Sequence, residues 1–147
     1  MARTEATIQA SPERIFEVLM DPDCYGDWVV GSKYIRGADP DWPAVGSRFH
    51  HAVGIGPLTV KDHTKIEEID PPRLLKLRAR ARPLGTALVT LELTPSGGST
   101  VVTMIEDPAD SLTALMFNPL THWLTRRRND EALRRLGKIA ERPGSGG

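Results

Sequence analysis

Three side chains in this sequence have the chemistry and the setting to move a proton: Asp62, Glu106 and His122. Asp62 shares strand parity with Leu58, Val60, Thr64 and Ile66. It therefore stands in an apolar wall, unless a bulge or an edge position turns it to water. In an apolar wall, burial disfavours its charged form, the condition under which a carboxyl serves as acid or base near neutral pH. Glu106 closes a strand whose inward set is either Val101/Ile105 or Val102/Met104, so its direction stays open. His122 falls on a terminal helix near the mouth of any space the helix covers. It reads either as an exposed helix-end residue or as a proton-transfer group. Arg126 and Asn129 share its stripe. They meet a polar ligand head or pair with an acidic rim such as Glu106.

The remaining titratable groups point away from metal and nucleotide chemistry. His50 and His51 are adjacent on a strand, face opposite ways and cannot jointly hold one ion. His63 shares parity with Lys61 and Lys65, which places it on the solvated face. Zinc-protease, paired-cysteine, nucleophile-elbow and phosphate-loop patterns are absent. Gly54-Ile55-Gly56-Pro57 is a turn rather than a dinucleotide loop, because it leads into a strand. No metal site and no cofactor is expected.

The elements that position these groups follow from period and punctuation. Residues 3–10 alternate as a strand, with Ala6, Ile8 and Ala10 on one face. Ser11-Pro12-Glu13 then starts a helix: a side-chain cap, a ring suited to the first turn, and an acid at the positive end. Ile15, Phe16, Leu19 and Met20 form its apolar stripe. Asp21-Pro22 ends it, and a second short helix spans Pro22 to Trp28. Strands are predicted at 33–38, 46–55, 58–69, 73–82, 86–94 and 99–107, joined by short Pro, Gly and Asp turns that favour antiparallel neighbours.

Strand 73–82 sets Leu75, Leu77, Ala79 and Ala81 against Lys76, Arg78, Arg80 and Arg82. One face is apolar and the other solvated. Strand 86–94 does the same with Ala87, Val89, Leu91 and Leu93. A helical segment covers about 110–116. A long helix over 119–141 carries His122/Trp123, Arg126, Asn129, Leu133, Leu136 and Ala140 on one stripe. It is the only element long enough to cover the apolar sheet face. Small inward residues such as Ala52, Ala79, Ala81 and Ala87 leave a cavity between them. Its wall comprises Leu75, Leu77, Ala79, Ala81, Val89, Leu91 and Met104, with Trp28, Trp123 and Arg126 at its edge.

Bulk composition agrees with one domain over residues 1–142 and a linker-like tail at 143–147. The 147 residues carry 19 basic and 19 acidic side chains, so no overall charge draws the chain to nucleic acid. The basic row opposite Leu75 and Leu77 lacks interleaved aromatics and reads as a solvated sheet face. The Arg126-Arg127-Arg128 and Arg134-Arg135 runs, interspersed with Asp130, Glu131 and Glu141, read likewise. No stretch reaches the ~20 apolar residues that span a bilayer, so stable membrane insertion is not expected. A lone cysteine, Cys24, and the absence of an N-terminal apolar segment fit the cytoplasm.

Several segments stand in a telling order: Ile8-Gln9-Ala10-Ser11-Pro12-Glu13-Arg14-Ile15-Phe16, Asp21-Pro22 through Trp28, and Val45-Gly46-Ser47. Ile66-Glu67-Glu68-Ile69-Asp70-Pro71-Pro72-Arg73-Leu74, Gly98-Ser99-Thr100-Val101-Val102 and the terminal helix follow. In that order and spacing the chain resembles the START/polyketide-cyclase-like superfamily, SRPBCC, also called the helix-grip fold. The resemblance implies an α+β fold in which a curved antiparallel sheet of about seven strands wraps a long C-terminal helix, with two short helices after strand 1. It also implies a hydrophobic small molecule, a lipid or polyketide, held between sheet and helix. Binding is the favoured function, because the predicted interior holds few polar groups. A cyclase/aromatase-like enzyme using Asp62, Glu106 or His122 is the alternative, and a co-chaperone-like interaction module a second one. A monomer or homodimer fits equally.

Overall fold

The computed structural model describes residues 2–28, 32–55, 57–81, 85–108 and 119–142. Strand β1 (Ala2–Ile8) leads into helices α1 (Pro12–Met20) and α2 (Pro22–Trp28). Six strands follow: β2 (Ser32–Ala38), β3 (Arg48–Ile55), β4 (Leu58–Asp70), β5 (Leu74–Ala81), β6 (Gly85–Ser96) and β7 (Ser99–Pro108). The chain then forms α3 (Pro119–Ala140). The segment expected as a helix at 110–116 and the tail at 143–147 lie outside the described residues.

Local chemistry accounts for the element ends. The Ser11 hydroxyl accepts from the Arg14 amide at 3.1 Å, with Pro12 opening the first turn of α1. Strand β6 runs two residues further than its alternation predicts, through Pro95 and Ser96. The turn to β7 is then only Gly97-Gly98, with Gly97 at a φ of 65°, where a side chain would be strained. Pro95 sits opposite Thr100 at the hairpin end, where its missing amide disturbs the ladder least.

The sheet has seven strands in the order β1-β7-β6-β5-β4-β3-β2, and every pairing is antiparallel. From β2 to β7 it is a meander; β1 joins at the far edge, and α1 and α2 carry the chain between the two edges. Curved around its covering helices, this is the helix-grip arrangement.

The inward face follows from burial and register. Ile8, Val102, Leu93, Met104, Leu91 and Leu75 are buried on it; Val102 pairs with Leu93, and Leu91 with both Met104 and Leu75. Ile15, Phe16 and Leu19 of α1 and Leu133, Leu136 and Ala140 of α3 complete this core. Burying a side chain of this size contributes roughly 1.5–3 kcal/mol, so this cluster carries the fold. Gly137 lets α3 come close to β1: a Cβ there would lie 3.4 Å from Ile8 Cγ1. Arg14 donates to the carbonyls of Ala140 and Ile139 at 3.4 and 3.5 Å, tying α1 to the end of α3.

Candidate ligand site on the inner sheet face

The inward face has two unlike ends. Toward α1 it is filled by the large side chains of the core. Toward the end of β5 and the start of β6, the inward residues shrink to Ala79, Ala87 and Val89. These three face inward yet stay only half-buried, whereas Leu75 and Leu91 on the same strands are fully buried. Ala79 pairs with Thr64 on one side and Ala87 on the other. The small-residue floor therefore runs directly into β4.

There it meets a polar group. Asp62 and His51 are opposed in the β3–β4 register, and Thr64 pairs with Phe49 one inward step away. All three polar residues are buried, at 7%, 2% and 1% exposure. His51 Nε2 and Thr64 Oγ1 are hydrogen-bonded at 2.9 Å. Asp62 Oδ1 accepts from the His63 backbone N–H at 2.9 Å and lies 3.5 Å from His63 Nδ1.

The question of parity at Asp62 resolves toward the interior. The bulge of β4 falls between Ile66 and Glu68, away from Asp62, which pairs with His51 of β3 and is buried. The bulge also explains why Ile69, out of simple alternation with Ile66, faces Leu75. His63 lies on the opposite face, its ring 6.2 Å from the centroid of His50. His50 Nε2 bonds Asp39 at 3.0 Å. That bond, with the Arg48 amide, holds the Asp39 carboxyl below the usual carboxylate range.

A small pocket of about 10 Å³ adjoins Thr64, lined by Leu19, Trp28, Trp42, Phe49 and Leu77 among others. That is room for about one water molecule. Trp42 and Phe49 pack with ring centroids 5.5 Å apart, and Trp42 Nε1 donates to the Met20 carbonyl at 3.0 Å.

The second polar group joins β7 to α3. Val102, Met104 and Glu106 are the inward set of β7, with Val101 and Ile105 on the other face. Arg128 places one guanidinium nitrogen 2.6 Å from both oxygens of Glu106, and Asn129 Nδ2 reaches Oε1 at 3.5 Å. The arginine pairing with Glu106 is thus Arg128, not Arg126. The stripe predicted for α3 holds at Asn129, Leu133, Leu136 and Ala140 but turns outward before them. Arg126 is exposed, and Thr125 is buried in its place. Trp123 is 52% exposed, with the Arg127 guanidinium 5.0 Å over its ring.

The other residues expected at the wall divide between the two ends. Leu75, Leu91 and Met104 belong to the core; Trp28 and Leu77 border the small pocket. The backbone of Ala81 lies in β5 and that of His122 in the first turn of α3, but both side chains lie outside what is described. His51 is the residue that sequence reasoning passed over. Its signal was its shared parity with Phe49 and Val53, the apolar set of β3.

Among the described residues no group of three or more His, Cys, Asp or Glu side chains is placed to hold a metal ion. No helix among them is long and apolar enough to cross a membrane.

A family model described as polyketide cyclase / dehydrase and lipid transport matches residues 1–141. Among solved structures, a protein from Chromobacterium violaceum superposes with a TM-score of 0.73 at 16% identity, covering 96% of this chain and 97% of that one. A protein from Rhodobacter sphaeroides gives 0.71 at 22% identity, over 94% and 91%. DynU16, a protein of the dynemicin biosynthetic locus, gives 0.68 at 14% identity; the match covers 96% of this chain and 47% of DynU16. At these identities the likeness is one of fold. No curated protein matches the chain significantly.

Proposed function

The chain belongs to the polyketide cyclase/dehydrase and lipid-transport family, and on that premise we propose that it binds a hydrophobic small molecule between the inner sheet face and α3. One observation carries the reading: Ala79, Ala87 and Val89 face inward but remain half-buried, beside a fully packed core on the same strands. Apolar surface left accessible on a concave wall is the feature a hydrophobic ligand covers. The ligand is lipid- or polyketide-like in class, and the protein works in the cytoplasm as a monomer or homodimer. Native mass spectrometry of gently purified protein is the test. A retained small-molecule adduct, or uptake of an added apolar aromatic probe that Ala87→Phe blocks, supports the reading. A protein that takes up no probe and whose tryptophan fluorescence no probe alters sinks it.

A second reading is favoured by the inward placement of Asp62 and His51. A proton acceptor on the wall of an apolar site is the minimum for proton abstraction next to a ligand carbonyl. In that step the base takes the proton and the C–H electron pair moves into the enolate, with no oxidant needed. Deuterium exchange into a bound ketone, accelerated by the protein and lost in Asp62→Asn, would establish it. Exchange at the uncatalysed rate would leave binding alone.

A further inference from the structure

We infer that the outer face of the first half of α3 docks on an anionic lipid bilayer, so that the hydrophobic ligand passes between membrane and site. The inference rests on the binding reading above for the ligand and adds the surface from which it comes. Trp123, Arg126 and Arg127 stand three and four residues apart and share one face of the helix. All three are exposed, and the Arg127 guanidinium lies 5.0 Å over the Trp123 ring. Thr125 and Asn129, both buried, take the other face.

Charge separates this half of the helix from the rest. Its first turn holds no acid, and the first one along it is Asp130. Arg134 and Arg135 both engage Glu131, and Arg128 engages Glu106. Among the described residues Arg126 and Arg127 form no ion pair, so their charge is offered to solvent. Position ties the patch to the site. Gly137 lies against Ile8 at the packed end, whereas Arg128 and Asn129 meet Glu106, which stands opposite Val89 of the half-buried floor. Read back toward Pro119, the helix therefore runs from the packed end to the open one. Trp123, Arg126 and Arg127 continue in that direction, beside the open end.

These groups choose among partners. Tryptophan settles at the headgroup level of a bilayer, arginine matches the geometry of phosphate, and an anionic leaflet attracts basic side chains. A partner protein covers about 800 Å², more than three side chains offer. Single-stranded nucleic acid stacks on successive aromatics, and this face carries one. Docking of this size is weak and reversible, as exchange requires, and needs no membrane-spanning segment.

The test sediments the full chain with vesicles of phosphatidylcholine alone or mixed with phosphatidylglycerol, and follows tryptophan emission. Binding is expected to the mixed vesicles only, weakening as salt rises, with a blue shift that Trp123→Phe abolishes. Arg126→Gln and Arg127→Gln should each weaken binding roughly fivefold. Arg134→Gln removes the same charge from the packed half and should change binding by less than about twofold. No binding to mixed vesicles, equal binding to both compositions, or equal loss in all three arginine variants overturns the docking. Capture of an RNA oligonucleotide without capture of vesicles overturns it too. Uptake of an apolar aromatic probe in vesicle-free solution is measured alongside. It persists when docking alone fails and is lost only when the binding reading fails.

Discussion

Leu91 and Ala87 stand on the same face of β6, four residues or about 13 Å apart. Leu91 pairs with Leu75 and Met104 and is wholly buried; Ala87 pairs with Ala79 and Pro108 and is only half-buried. The backbone treats the two positions alike. Side-chain volume makes one end of the face a core, and the lack of it makes the other end a surface that can receive a molecule. Polarity follows the same division. Between β1 and β5 the closed end is almost purely apolar, whereas Asp62, His51 and Thr64 gather where the alanines begin. A polar group buried in the core would cost stability for no return. At the edge of an accessible floor it has a partner to meet.

Opposite substitutions on this one strand test the comparison most severely. Leu91→Ala is expected to lose about 2–5 kcal/mol and to lower Tm by roughly 10 °C, measured by denaturant and thermal unfolding. Ala87→Phe should change stability by less than about 1–2 kcal/mol while weakening ligand binding more than about tenfold, since its ring would occupy the ligand's place. If Ala87→Phe destabilised as much as Leu91→Ala, the two ends would be one core and the comparison would break.

Glu106 lies on the boundary between the ends, opposite Val89, and sharpens the comparison. Glu106→Gln removes the carboxylate and leaves Arg128, 44% exposed at its side chain, free to enter solvent. The expected loss is about 1–2 kcal/mol, well below the cost of breaking a fully buried pair. The smallest effect is expected on the outer face. Asp39 has a folded pKa below its unfolded value because of His50 and the Arg48 amide. Its contribution is therefore complete above about pH 4 and lost as pH falls through the lower folded value. Asp39→Asn should show a small Tm decrease at pH 6 that shrinks toward pH 3, with no change in ligand binding at either end of that range.

The fold was largely legible because β5 and β6 alternate cleanly and each turn of the meander carries its own chemistry. Leu75 to Ala81 and Ala87 to Leu93 declare their inner face without help from the rest of the chain. The inward placement of Asp62 was legible as one of two outcomes from its parity with Val60 and Thr64; only the position of the bulge, at Ile66–Glu68, decided it. A bulge leaves no mark in a residue pattern this short. The phase of α3 was the harder problem. Asn129, Leu133 and Leu136 fix its C-terminal half, but the stripe extended back to Arg126 and Trp123 has no apolar anchor, and the helix instead turns Thr125 inward. Arg127, four residues after Trp123 and stacked on it, was the sign that this tryptophan belongs outside. His51 was obscured by its neighbour, since an adjacent histidine pair draws attention to metal chemistry rather than to the face each one takes.

The pairing of β1 with β7 has a consequence for how the chain is made. Ala2 pairs with Glu106 and Ile8 with Thr100, so about 100 residues must emerge from the ribosome before the first strand has a partner. At about 5–20 residues per second that interval is roughly 5–20 s. Throughout it Ala6 and Ile8 remain uncovered while the β2–β6 hairpins, whose contacts are local, are free to form. Translation therefore builds the wall bearing Asp62, His51 and the alanine floor before the strand and helix that complete the core. A nascent chain arrested ahead of β7 would display that floor to whatever apolar molecule or chaperone is nearby.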